Sequence, residues 1–199
     1  TYGLDESELL TSEYFVGSQD PHIWFDISLW KKAAQRIRDV LSQAVPNSAS
    51  LFNERTESYI SELDSLDTWT RLQIASIPVE TRVLITSHDA FGYFGRAYGI
   101  DVKGLQGIST ASEAGTGDVR DLASFVAENE IPSMFVESSI SPRGIEAVRE
   151  AVRARGFEVA IGGTLFGDAL GSPGTEAGTY LGMFRENVTM IVAGLGGGQ

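Results

Sequence analysis

Two stretches of this chain hold residues whose types and spacing could do metal or acid–base chemistry. They are Asp20-Pro21-His22-Ile23-Trp24 and Thr86-Ser87-His88-Asp89-Ala90-Phe91, and they contain both of its histidines. Imidazole is the commonest side-chain metal ligand and the one side chain whose unperturbed charge changes near neutral pH. Each histidine has an acid close by and falls at the edge of an expected helix or strand. The local sequence also admits plainer roles. Asp20 could close a turn onto its own backbone, and Asp89 reads best as the N-cap of the helix that follows. Pro21 fixes the backbone ahead of His22 and favours an ordered loop.

Helices and strands must position these groups. Ile27, Trp30, Ala34, Ile37 and Leu41 recur at helical spacing, with Asp26 or Ser28 as cap and Pro46 as stop. A second helical segment runs from about Ser48 to Ile77. Phe52, Tyr59, Leu63, Leu66 and Ile74 form its sparse stripe. As one helix it would extend about 45 Å and bridge two lobes; two helices broken near Asp64–Asp67 fit equally. After Pro78 short β-rich runs (Arg82–Ser87, Val102–Ile108, Ser133–Glu137, Glu158–Ile161) alternate with helical patterns. Those cover about Ala90–Tyr98, Asp118–Asn129, Pro142–Arg155 and Glu176–Leu195. Strand–helix alternation predicts a parallel sheet covered by helices. The last helix presents Tyr180, Leu181, Phe184, Val188, Ile191 and Val192 to that sheet, and a glycine-rich stretch from Gly194 ends it.

In open parallel sheets, ligands bind beyond the carboxyl ends of the strands. The first strand leads into His88 and the third into Glu137. The fourth passes through Gly162-Gly163-Thr164-Leu165-Phe166-Gly167 to Asp168. Three groups able to bind a cation thus share one edge. If His22 reaches the same crevice, the set includes two imidazoles, a mixed nitrogen–oxygen donor set that suits zinc, manganese or iron. Asp168 lies in a long irregular segment, Thr164 to Tyr180, of the kind that often carries function.

Other classes are disfavoured. A net charge of −12, with 15 basic against 27 acidic residues, argues against nucleic acid. With no cysteine, thiolate zinc sites and disulfides are excluded. No stretch approaches the roughly 20 apolar residues of a membrane span. Gly107–Asp118 lacks both the Lys-Ser/Thr ending of a phosphate loop and Gly-x-Gly-x-x-Gly spacing, and Glu113 in its middle would repel phosphate. It reads as a connecting loop that caps the Asp118 helix.

Four segments, in order, resemble the TroA-like family, the manganese and zinc solute-binding proteins of ABC-type metal importers. They are Asp20-Pro21-His22-Ile23-Trp24-Phe25-Asp26, Ser87-His88-Asp89-Ala90-Phe91-Gly92-Tyr93-Phe94, Phe135-Val136-Glu137-Ser138-Ser139, and Gly162 to Asp168 followed by Gly171-Ser172-Pro173-Gly174-Thr175. The resemblance implies a metal held between two α/β lobes by three histidines and a carboxylate, with one long helix joining the lobes. On this matching His22, His88 and Asp168 are metal ligands, while Glu137 supports them.

The organisation it implies is a remnant of an N-terminal α/β lobe at residues 1–47, a bridging helix at 48–78 and a Rossmann-like parallel-sheet lobe at 79–199. The family's first histidine lies upstream of its Asp-Pro-His-Ile-Trp equivalent. Here none of the residues before Asp20 is His, so the chain reads as N-terminally truncated, with three ligands of four. Loss of a lobe would expose apolar surface on the Asp26–Val45 helix and favour association.

The expected function is the extracytoplasmic component of an ABC importer, periplasmic or lipid-anchored at the outer face of the membrane. It would carry Zn2+ or Mn2+ as transported ligand to a membrane permease, without catalysis. The alternative is a metal-dependent hydrolase using the same residues, with Glu137 as general base. A nucleotide-binding Rossmann domain would need a glycine fingerprint that the sequence does not have.

Overall fold

Asp26 starts the first long helix, α1 (Ile27–Ala44), by accepting from the backbone amide of Ser28 at 2.9 Å. Pro46 stops it, because the residue before a proline is driven out of the α region, and Val45 sits at φ −134°, ψ 73°. The computed structural model describes residues 4–11, 19–108 and 114–196. Ile27 and Leu29 are buried, but Ile37, Val40, Leu41 and Val45 are exposed. Half of the apolar stripe of α1 therefore faces outward.

The second helical segment is one unbroken helix, α2 (Ala49–Ala75), of 27 residues, about 40 Å long. It runs straight through Asp64–Asp67. Leu63, Leu66, Thr70 and Ile74 form its buried line, and it packs on α1 and on the last helix. Asp67 accepts from the Tyr98 hydroxyl at 2.9 Å, and Arg71 donates to the Ala97 carbonyl at 3.0 Å.

The strands then alternate with helices: β1 (Val83–His88), α3 (Gly92–Tyr98), β2 (Asp101–Gln106), α4 (Thr116–Glu128), β3 (Ser133–Glu137), α5 (Arg143–Arg153), β4 (Ala160–Leu165) and α6 (Tyr180–Gly194). Two parallel pairs form, β1 with β2 and β3 with β4, and β1 lies beside β3. Because side chains alternate along a strand, neighbouring residues feed opposite faces. Leu84, Phe135 and Leu165 join a core with α2, α3 and α6, while Ile85, Leu105 and Met134 join one with α4 and α5. The expected α/β architecture is therefore present, and α6 docks on β4 through a face that buries Phe184, Val188, Ile191 and Val192.

Several boundaries differ from the sequence reading. Asp89 is not a helix cap, because the strand pairing runs one residue further, with the Asp89 amide donating to the Gln106 carbonyl at 3.0 Å. The helix consequently starts at Gly92, with Phe91 in the cap position. β4 begins later than expected and takes in Gly162 and Gly163, read in the sequence as the exit from the strand. Both glycines are needed there: a Cβ on Gly162 would lie 2.5 Å from the Phe135 ring, and Gly163 has φ +143°. The final helix is split, a 3₁₀ turn at Glu176–Gly178 preceding α6, whose cap is the Thr179 hydroxyl. Of the loop from Gly107 to Asp118, residues 109–113, including Glu113, lie outside the described residues. Its end does cap α4, through the Asp118 carboxylate and the Gly115 amide at 2.8 Å.

Candidate metal centre

His88 is the last residue of β1 and Glu137 the last of β3. With β1 and β3 side by side, their ends meet. The His88 backbone amide donates to Glu137 Oε1 at 2.9 Å, and Nδ1 of the ring lies 2.8 Å from Oε2. That second approach is close but not aligned as a hydrogen bond. The ring is wholly buried, and among the described residues its Nε2 has no hydrogen-bond partner. An unpartnered buried nitrogen is costly unless something binds it.

His22 arrives from the other side of the sequence, just before a 3₁₀ turn at Ile23–Phe25. The Asp20 carboxylate accepts from the His22 backbone amide at 2.8 Å and lies 2.6 Å from ring Nδ1. The turn expected at Asp20 is therefore present, and the same oxygen also orients the imidazole. A carboxylate on Nδ1 places the proton there and leaves the Nε2 lone pair for a cation.

Asp168 closes the set. Its Oδ1 lies 3.4 Å from His22 Nε2 and its Oδ2 3.4 Å from His88 Nε2. One ligand atom from each of the three residues falls within 4.8 Å of the others. Two donors about 2.1 Å from a tetrahedral cation are themselves about 3.4 Å apart, so the carboxylate stands at coordination spacing from both rings. Glu137, which the strand-end rule placed in the same group, faces the opposite nitrogen of His88.

The electrostatics suit a cation. Burial disfavours charge on His22, but hydrogen bonding and attraction from Asp168 and Asp20 outweigh it and raise its pKa to about 9. For His88, Asp168 and Glu137 likewise overcome burial and raise it to about 9. The close approach of the His22 ring, and of the His88 ring, holds the Asp168 carboxyl well below the usual carboxylate range. Three carboxylates around two imidazoles attract positive charge, whether protons or metal.

The loop that carries Asp168 is fixed at each step. A Cβ on Gly167 would sit 2.2 Å from Glu137 Oε2 and 3.2 Å from His88 Cε1, so a larger residue there would have to move the Glu137 carboxylate or the loop. The Trp24 indole packs edge-on against His22, with ring centroids 5.2 Å apart, and donates to the Gly167 carbonyl at 3.1 Å. Sequence reasoning assigned no role to Trp24 or Asn187; for Asn187 the signal that could have found it is a lone amide beside Val188 in the apolar stripe of the last helix. Beside Asp168 an apolar cleft of about 250 Å³ is lined by Trp24, Trp30, Leu170, Tyr180 and Met183.

Beyond the ends of the parallel strands, His88 and Asp168 meet His22 from the segment before α1, a donor set able to hold a cation. Residues 3–194 match the family described as zinc-uptake complex component A, periplasmic (ZnuA), and the chain belongs to that family. It is 50% identical over 176 residues to the zinc-binding protein TroA of Treponema pallidum (strain Nichols), covering 88% of this chain and 57% of that protein. To the manganese-binding lipoprotein MntA of Bacillus subtilis (strain 168) it is 48% identical over 176 residues, covering 88% and 58%. The solved structure of the periplasmic zinc-binding protein TroA from Treponema pallidum superposes with a TM-score of 0.94 at 47% identity. That match covers 98% of this chain and 69% of the other. The chain thus spans less than two thirds of the length of the curated relatives it matches.

Proposed function

We propose that the chain is the metal-binding part of an extracytoplasmic solute-binding protein of an ABC importer. It takes a divalent transition metal, Zn2+ or Mn2+, as cargo for a membrane permease. His22 Nε2, His88 Nε2 and the Asp168 carboxylate bind the ion, while Asp20 and Glu137 orient the two rings. The 48–78 segment, built on α2 (Ala49–Ala75), serves as the bridge between the 1–47 segment and the 79–199 lobe. The observation that carries this reading is the convergence of the three donors within 4.8 Å, each imidazole having a carboxylate on its other nitrogen. Paired zinc- and manganese-binding relatives at nearly equal identity support a site that accepts both ions, as its nitrogen–oxygen donors would.

The chain acts as a receptor, not a catalyst. Glu137, the carboxylate a hydrolase would use as base, is engaged by the His88 amide. The neighbouring cleft is lined by Asp168 but by neither histidine. The test is titration calorimetry with Zn2+ and Mn2+ on the chain and on His22→Ala, His88→Ala and Asp168→Ala. Binding by the parent and at least tenfold loss in each variant is the expected result. Unchanged affinity in the variants removes the assignment.

A further inference from the structure

Asn187 is 2% exposed, in the middle of α6, on a face otherwise made of Phe184, Val188 and Ile191. Burying a primary amide among apolar side chains is unfavourable unless both of its ends are paired. Here both ends pair with one residue. Oδ1 accepts from the Phe166 backbone amide at 2.9 Å, and Nδ2 donates to the Phe166 carbonyl at 2.9 Å. Nδ2 also lies 3.4 Å from Met183 Sδ.

The position of Phe166 gives this clamp its meaning. The ladder between β3 and β4 ends at the pair Glu137↔Leu165, so Phe166 is the first residue beyond it. The side chain of Asn187 pairs both backbone groups of Phe166 just past the end of that ladder. Two residues further on is Asp168. The intervening Gly167 is held from the other side by the Trp24 indole. α6 also reaches the His22 segment, because the Tyr180 hydroxyl donates to the Trp24 carbonyl at 2.7 Å. One helix therefore registers the carboxylate-bearing loop against an imidazole-bearing one.

We propose that Asn187 is a positioning residue for the metal: by clamping Phe166 it sets the Asp168 carboxylate at coordination distance from both histidines. This rests on the reading of His22, His88 and Asp168 as the metal-binding set. Partners that orient a ligand from behind typically change affinity by about 10- to 100-fold when removed. Asn187 would act in that way through the backbone.

The experiment is titration of the chain with Co2+, followed by its ligand-field absorption, alongside thermal melting without metal. Asn187→Leu keeps approximate volume and removes both hydrogen bonds. Asn187→Asp keeps the acceptor for the Phe166 amide and removes the donor. The expected result is about a tenfold or greater loss of Co2+ affinity in Asn187→Leu, with shifted absorption bands and a smaller change in Asn187→Asp. If Asn187→Leu does not fold, Asn187→Asp decides alone. Lowered melting with unchanged affinity and spectrum would make Asn187 structural only and overturn the inference. A parent chain that binds no Co2+ would instead overturn the metal-site reading on which it stands.

Discussion

The indole N–H of Trp24 donates to the carbonyl of Gly167, two residues separated by 143 positions of sequence and 3.1 Å of space. This one bond joins the loop that carries His22 to the loop that carries Asp168. Trp24→Phe keeps an aromatic ring beside His22 and leaves the Gly167 carbonyl without that donor. A loss of about 1 kcal/mol in unfolding free energy is expected, with a severalfold drop in metal affinity. Urea denaturation and calorimetry on the same variant would read both, and no change in either would show the tie to be idle.

The metal-free chain should have a defined pH window of stability. His22 and His88 are raised to about 9 in the folded state, above the ordinary value of about 6.5. A raised pKa stabilises fully below the unfolded value and ceases to do so as pH climbs through the folded one. Asp168 is lowered, so its contribution is present above the ordinary carboxylate range and lost in strong acid. Melting temperature in chelator should therefore be highest between about pH 5 and 6.5 and fall toward pH 9. With metal the trend reverses: binding strengthens over that range because protons must leave the rings first. A flat melting profile between pH 6 and 9 would contradict the ring-carboxylate contacts.

Gly167→Ala tests the close passage over Glu137 and His88. The added carbon would meet Glu137 Oε2 at 2.2 Å, so loop or carboxylate must move. Overpacking of this kind costs about 1–3 kcal/mol, and the displaced loop carries Asp168. The expected outcome is weaker metal binding together with a lower melting temperature. Parent-like values for both would mean that the Glu137 side chain relocates freely.

Ile37, Val40, Leu41 and Val45 leave an apolar strip along α1 in contact with solvent. Strips of this sort favour association. The 199-residue chain is expected to show concentration-dependent mass in light scattering. A double variant, Ile37→Lys with Leu41→Lys, should shift it toward monomer. A clean monomer for the parent at high concentration would sink this expectation.

The sequence was informative wherever a side chain acts through its own neighbours. Asp26 as cap, Pro46 as stop and the alternation after Pro78 all led to elements found in the structure, since these depend on local backbone preference. The strand-end rule brought His88, Glu137 and Asp168 to one edge without coordinates. It could not say which face of His88 Glu137 would take, because that depends on β1 lying beside β3. The error at Asp89 arose because its backbone still pairs with the Gln106 carbonyl, so the helix starts only at Gly92 and Phe91 takes the cap position. Gly162 and Gly163 looked like a loop because their need for glycine comes from Phe135 and from a left-handed φ. Trp24 and Asn187 went unnoticed because each bonds a distant backbone, at Gly167 and Phe166.

Asp20 holds His22 by amide and ring at once, and this bears on how quickly and how tightly an ion can be captured. An imidazole free to rotate must be immobilised on binding, at about 0.5–1.5 kcal/mol per side chain. Here the rotamer is already selected by a carboxylate on the same turn, before any ion arrives. Capture then waits on the departure of a proton instead of a rearrangement of the chain. Exchange rates should follow pH more closely than viscosity.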